Sequence, residues 1–305
     1  MNTRPRIALL GTGLMGAAMA ERLLEKGFRV EVWDRTPASA AHLAAQGATA
    51  HANPAAAVRR AGVVITMLAT GDALTEVMLR RDALAALPTG GVWAQMATIG
   101  VEATERLIAE AARLRSDVVF VDAPVSGTRG PARNGQLTIL ASGAEAARPT
   151  LDPVFAALGQ RTVWLEPAGL GMRLKLVLNT WLAFEVEAAA EVSATAARLG
   201  VPYAALLEAV QGGPLASGSA LARLAQMEKS DHTPQFPLEW ALKDLELVAT
   251  ATGPDAAPVA GAIASRWRNL VADGLGRLDV SAARLGLFGE PSAADLAARA
   301  EAALR

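Results

Sequence analysis

Through the first half of the chain, short and nearly continuous apolar runs alternate with alanine-rich helical stretches. The runs predict strands over 6–10, 29–33, 63–68, 91–96, 118–122, 137–141 and 162–165. The stretches between them predict helices over 14–26, 38–46, 73–79, 101–114 and 148–158. Strands that are apolar on both faces and separated by helices indicate a mainly parallel sheet covered on both sides. The right-handedness of strand–helix–strand crossovers makes that sheet doubly wound.

Beyond Leu165 the strand pattern stops. From 170 to 199 apolar residues recur at helical spacing with no proline, up to Gly200 with Pro202 just after it, which is a helix stop. Further helices are predicted over 203–211, 216–229, 237–251, 256–273 and 293–303. Glycine–proline clusters at Gly212-Gly213-Pro214, Thr252-Gly253-Pro254 and Gly289-Glu290-Pro291 separate them. The expected class is therefore α/β followed by all-α. An α/β domain over 1–165 is joined through a long helix to a helical domain over 166–305.

Composition removes several function classes. Lys and Arg total 29 against 30 Asp and Glu, so the net charge is −1 and nothing draws the chain to nucleic acid or an anionic membrane. With no cysteine there are no disulfides, thiolate zinc sites or cysteine nucleophiles. The three histidines, His42, His51 and His232, are scattered, and no metal site is expected. Arg4 and Arg6 ahead of an apolar stretch ending in small residues imitate a secretory leader. Gly11, Gly13 and Gly16 interrupt that stretch at a spacing with its own mechanical meaning, and no later run has the length and apolarity of a membrane span. A cytoplasmic protein is expected.

Gly11-Thr12-Gly13-Leu14-Met15-Gly16 follows a predicted strand and opens a predicted helix. In that context the first glycine permits a tight turn and the second lets backbone amides approach a pyrophosphate. The third lets the helix pack on the strand. The next strand ends at Asp34, where a side chain contacting the adenine ribose is expected, which favours NAD. Arg35 and Thr36 follow at once and suit a 2′-phosphate, which favours NADP. NADP is the expected cofactor, with NAD open.

Three more strand ends should border the same crevice. These are Met67-Leu68-Ala69-Thr70, Met96-Ala97-Thr98-Ile99 and the loop Asp122-Ala123-Pro124-Val125-Ser126-Gly127-Thr128. Ser126, Gly127 and Thr128 offer hydroxyls and backbone amides to a carboxylate. In Gly171-Met172-Arg173-Leu174-Lys175-Leu176-Val177-Leu178-Asn179 a lysine sits among apolar residues with an asparagine one helical turn on. Partial burial of such a lysine favours proton transfer, and Asn179 can bond the lysine or a substrate oxygen. Read by spacing, Lys175 is either this or a snorkelling surface residue. Lys243 and Asp244, on a later predicted helix with Trp240, are either a site cation and its anchor or an exposed ion pair.

Gly11–Gly16, Asp122–Gly127, Gly171-x-x-x-Lys175-x-x-x-Asn179 and Lys243-Asp244-Leu245, in this order over nearly the whole chain, resemble the β-hydroxyacid dehydrogenase family, also called 3-hydroxyisobutyrate dehydrogenase-like. Pro131-Ala132 after the Ser-Gly loop is similar to the glyoxylate/succinic-semialdehyde reductase branch. The resemblance implies a Rossmann-like domain, a long interdomain helix and a helical C-terminal domain of the 6-phosphogluconate dehydrogenase-like kind. It implies a dimer or tetramer acting on a small aldehyde acid or hydroxy acid. Lys175 would be the general acid/base, with Asn179 orienting the substrate. Ser126, Gly127, Thr128 and Lys243 would bind the substrate. Gly11, Gly13, Leu14, Met15, Gly16, Asp34, Arg35, Thr36, Leu68, Ala69, Thr98 and Lys243 would line the cofactor. The chain departs from the family in having Gln95-Met96-Ala97-Thr98 where Asp-x-Ser-Thr is common, and Ala69 where proline is common. Imine reduction on the same scaffold and non-catalytic nucleotide binding are the rival readings. Lys175 argues against the first, since imine reductases typically carry Asp or Tyr there, and the Lys175–Asn179 pair argues against the second.

Overall fold

The structure is a computed structural model and describes residues 4–287. It divides into two compact units, Met1–Lys175 and Leu176–Arg305. The helix expected over 293–303 lies outside the described residues.

The first unit is a nine-stranded sheet flanked by helices. Its strands are β1 (Ile7–Leu10), β2 (Val30–Trp33), β3 (Thr49–Ala50), β4 (Val63–Thr66), β5 (Val92–Gln95), β6 (Val119–Asp122), β7 (Val125–Ser126), β8 (Leu137–Ser142) and β9 (Gly159–Leu165). The order is β3-β2-β1-β4-β5-β6-β8-β7, with β9 added on β8. Pairing is parallel except where β8 meets β6 and β7. The helices are α1 (Leu14–Glu25), α2 (Pro37–Ala44), α3 (Pro54–Val58), α4 (Gly71–Leu74), α5 (Ala83–Ala86), α6 (Val101–Leu114), α7 (Arg129–Asn134) and α8 (Arg148–Leu158). The helix expected over 73–79 is split: α4 gives way to a π-helical turn, Thr75–Arg80. The short elements β3, β7, α3, α5 and α7 had no expectation, because two to six residues are too few to display a period.

Residue alternation explains why the strands read as solidly apolar. Ile7, Leu9, Val63, Ile65, Val92 and Ala94 enter one core layer, while Ala8, Leu10, Val64 and Trp93 enter the other. Trp93 packs edge-on against Phe120, with ring centroids 4.8 Å apart. The order of strand addition reverses between the parallel β1 and β4, so the loops after these strands open a crevice at their carboxyl ends.

A long helix, α9 (Leu170–Arg198), begins in the first unit and continues into the second. The second unit adds α10 (Tyr203–Val210), α11 (Gly218–Glu228), α12 (Leu238–Thr252) and α13 (Pro258–Leu270), then a π turn and a 3-10 segment, Val280–Leu287. Its core gathers Val186 and Ala190 of α9 with Leu238, Leu242 and Leu245 of α12 around Trp267 of α13. Glu187 of α9 accepts hydrogen bonds from Arg266 and from the Trp267 indole, so its burial is compensated.

Candidate active site

The glycine loop has the geometry its spacing implies. Gly11 lies at φ +98°, where a Cβ would stand 2.6 Å from the Met67 carbonyl oxygen. At Gly16 a Cβ would be only 1.9 Å from the Gly11 carbonyl oxygen, so the helix packs on the loop through a missing side chain. At Gly13 a Cβ would meet nothing within 4 Å: this is the open side. Gly13 is also the N-cap of α1, and it supplies no capping side chain. Gly13 and Leu14 are exposed. Uncapped amides at the positive end of a helix dipole, beside open space, suit a pyrophosphate. The loop therefore could hold a dinucleotide at the open Gly13 and Leu14 amides, with Gly11 and Gly16 shaping the turn and the helix contact and Met15 beside them.

Asp34 follows β2, and both its oxygens are engaged by the protein. Oδ2 accepts the Thr12 amide at 2.7 Å and the Thr12 hydroxyl at 3.2 Å, and Oδ1 accepts the Thr36 amide at 2.8 Å. The carboxylate thus ties the glycine loop to the end of β2. Arg35 and Thr36 beside it are exposed. After β4, Leu68 is half-buried and Ala69 exposed. After β5, the buried Gln95 carboxamide closes on the Ala97 backbone, donating to its carbonyl at 2.7 Å and accepting its amide at 2.8 Å. That clasp shapes the turn leading to the half-buried Thr98.

The loop after β6 runs along β7, whose Ser126 pairs with Thr138 of β8. Ser126 and Thr128 are half-buried and Gly127 exposed. Thr128 is the N-cap of α7 but its hydroxyl makes no capping bond. Behind this loop, Asp122 and Ser142 are wholly buried and bond the start of α9, four residues ahead of Lys175 at Gly171. Burial pushes the Asp122 carboxyl up to about 7, against the opposing pull of its Met172 and Ser142 hydrogen bonds and of Arg173. Lys175 is half-buried.

In the second unit the structure brings Asn179, Lys243 and Asp244 together. Asn179 is buried, and its Nδ2 donates to Asp244 Oδ2. Lys243 Nζ lies 2.9 Å from Asp244 Oδ1 and 6.0 Å from the Trp240 ring centroid. Asp244 thus orients both an amide and an ammonium. The amide expected to bond Lys175 or substrate has this carboxylate as its hydrogen-bond acceptor. Lys175 and Asn179 stand one turn apart on α9. Thr12, Gln95, Asp122 and Ser142 had no assigned role in the sequence reading, although Thr12 and Asp122 stood inside motifs.

Among the described residues there is no group of three or more His, Cys, Asp or Glu side chains able to hold a metal. No described helix is long and apolar enough to cross a membrane.

Residues 6–166 match the family model for the NAD binding domain of 6-phosphogluconate dehydrogenase. Residues 169–285 match the one for the NAD-binding of NADP-dependent 3-hydroxyisobutyrate dehydrogenase. The chain is 34% identical to glyoxylate/succinic semialdehyde reductase 1 of Arabidopsis thaliana, over 90% of this chain and 96% of that protein. It is 30% identical to 3-sulfolactaldehyde reductase of Escherichia coli, over 90% and 93%. Among solved structures, the 3-hydroxyisobutyrate dehydrogenase of Mycobacterium tuberculosis with L-serine superposes with a TM-score of 0.84 at 29% identity, covering 93% of this chain and 99% of that one. These matches span nearly the whole chain: it belongs to the β-hydroxyacid dehydrogenase family of NAD(P)-dependent oxidoreductases, near its glyoxylate/succinic semialdehyde reductase branch.

Proposed function

We propose that this protein interconverts a small aldehyde acid and the corresponding hydroxy acid, with Lys175 as general acid/base and NADP as the preferred cofactor. When bound, the nicotinamide supplies or takes up the hydride. In the reducing direction the Lys175 ammonium stabilises negative charge growing on the carbonyl oxygen and then donates its proton there. In the oxidising direction the neutral amine takes the hydroxyl proton. Ser126, Gly127 and Thr128 hold the substrate carboxylate through hydroxyls and amides. Asn179, kept in orientation by Asp244, bonds a substrate oxygen, and Lys243 adds positive charge beside substrate and cofactor. The observation that carries this reading is the half-buried Lys175, set between a buried anchor at the start of α9 and the buried Asn179 one turn on. The substrate class follows the relatives, whose names specify glyoxylate, succinic semialdehyde and 3-sulfolactaldehyde.

The NADP preference rests on Asp34 and Arg35. A carboxylate already accepting backbone amides at both oxygens is turned toward the glycine loop, which leaves the exposed Arg35 guanidinium and Thr36 hydroxyl for a 2′-phosphate. Arg35→Ala is expected to raise KM for NADPH about tenfold and leave KM for NADH within about twofold. A homo-oligomer also belongs to this reading. Val177 and Trp181 on one stripe of α9 are 62% and 64% exposed, unusual for large apolar side chains.

The direct test is a turnover screen followed by cofactor absorbance. It covers glyoxylate, succinic semialdehyde, methylmalonate semialdehyde, tartronate semialdehyde and a cyclic imine, each with NADPH and NADH. Turnover of an aldehyde acid, faster with NADPH, is expected. Turnover of the imine alone would overturn the substrate class, and tight nucleotide binding without turnover would overturn catalysis.

A further inference from the structure

The start of α9 is built into the sheet by two side chains from different strands. Asp122 ends β6 and Ser142 ends β8, and the two face each other in the antiparallel pair that joins these strands. Both are 0% exposed. Asp122 Oδ2 accepts the Met172 amide at 2.6 Å. Ser142 Oγ accepts the Gly171 amide at 2.9 Å and the Gly169 amide at 3.1 Å. The same hydroxyl lies 3.3 Å from both the Asp122 carbonyl oxygen and Asp122 Oδ2, so its own proton points into the cluster. Helix-start amides that would otherwise need water or a local cap are held instead by groups fixed to the core.

The fit leaves little room for adjustment. A Cβ on Gly171 would lie 2.1 Å from the Leu140 carbonyl oxygen and 3.1 Å from Asp122 Oδ2. Lys175 follows Met172 by three residues, less than one helical turn, so the clamp sets both the rotation and the axial position of its backbone. A slip of one residue in helix register would turn it by about 100° and shift it about 1.5 Å. Misplacements of that size cost catalytic groups on the order of 100-fold in rate. Asp122 is also where the Ser126–Thr128 loop departs, so one residue refers loop and helix to the same point in the sheet.

We propose that Asp122 and Ser142 are positioning residues for the reaction: they lock the first turn of α9 and thereby aim Lys175. This rests on Lys175 being the proton donor. Its requirement is a hydrogen-bond acceptor at Asp122 rather than a charge, in keeping with a carboxyl that burial has pushed up to about 7.

A double-mutant cycle tests it. Asp122→Ala, Asp122→Asn and Ser142→Ala are made in the parent and in Lys175→Ala. For each, kcat, KM, nucleotide Kd from cofactor fluorescence and thermal unfolding are measured. In the parent, Asp122→Ala lowers kcat by about 10–100-fold with nucleotide Kd within about twofold. Asp122→Asn keeps an acceptor for the Met172 amide and recovers kcat to within about threefold. In Lys175→Ala, Asp122→Ala changes the residual rate by less than about twofold, because there is no ammonium left to aim. If Asp122→Ala does not fold, Ser142→Ala gives the same pattern at smaller size. Equal losses in both backgrounds, or a folded Asp122→Asn as slow as Asp122→Ala, would overturn the proposal and leave Lys175 in place. Parent-like turnover of Lys175→Ala alone would instead remove the proton donor, and the proposal with it.

Discussion

Two helices that start in the first unit meet the same physical problem at their N-termini and solve it in opposite ways. The amides that begin α1 and α9 have no partners within their helices. At α1 the N-cap is Gly13, with no side chain to cap it and open space where one would stand. At α9 the corresponding amides are gathered by Asp122 and Ser142, both wholly buried. The first helix start leaves its amides open, as the proposed binding of a pyrophosphate requires. The second, in the proposed mechanism, would use them to hold Lys175 still. Substitutions at the two starts should therefore fail differently, one in binding and the other in stability and turnover.

The largest expected effect is on the open side. Gly13→Asp places a carboxylate where the proposed pyrophosphate would bind, and its Cβ meets nothing. Calorimetric titration is expected to show NADPH affinity reduced by about 100-fold or more, while urea unfolding stays within about 0.5 kcal/mol of the parent. Gly171→Ala should behave in reverse. Its Cβ would overlap the Leu140 carbonyl, so unfolding free energy is expected to fall by about 1–3 kcal/mol and kcat to fall with it. Matching profiles for the two variants would erase the contrast.

A smaller effect separates the two starts by pH. The Asp122 carboxyl has a folded pKa raised from 3.8 to about 7, so the folded state binds the proton more tightly than the unfolded chain does. Its contribution is fully present below about 4 and is lost as pH rises through about 7. Asp122→Asn cannot ionise. Its melting temperature relative to the parent is expected to rise between about pH 5 and about pH 8, by at least about 2 °C. A pH-independent difference would show that the carboxyl titrates at its ordinary value.

The contrast also marks what the sequence can display. Continuous apolar runs announced β1, β4 and β5 because each strand feeds two core layers, one residue at a time. The glycine loop was legible because turn, close approach and helix start are all local, within six consecutive residues. The helix over Val101–Leu114 was legible to the residue for a similar reason: its apolar stripe is internal to the segment. The clamp on α9 was not legible, since it exists only because β8 turns back antiparallel and brings Ser142 opposite Asp122. The Asn179–Asp244 bond was hidden in the same way, since those residues meet only through packing of α9 against α12. Asp34 was read as an acid facing the adenine ribose, and its engagement by the Thr12 and Thr36 amides follows from backbone directions that spacing does not encode.

The most direct measurement is paired single-turnover kinetics and nucleotide titration of Lys175→Ala beside the parent. The account predicts that hydride transfer slows by about 10²–10⁴-fold while NADPH affinity stays within about twofold, since the amides of α1 are untouched. A variant that transfers hydride at the parent rate, or that loses the nucleotide along with the rate, would contradict the division of labour between the two helix starts.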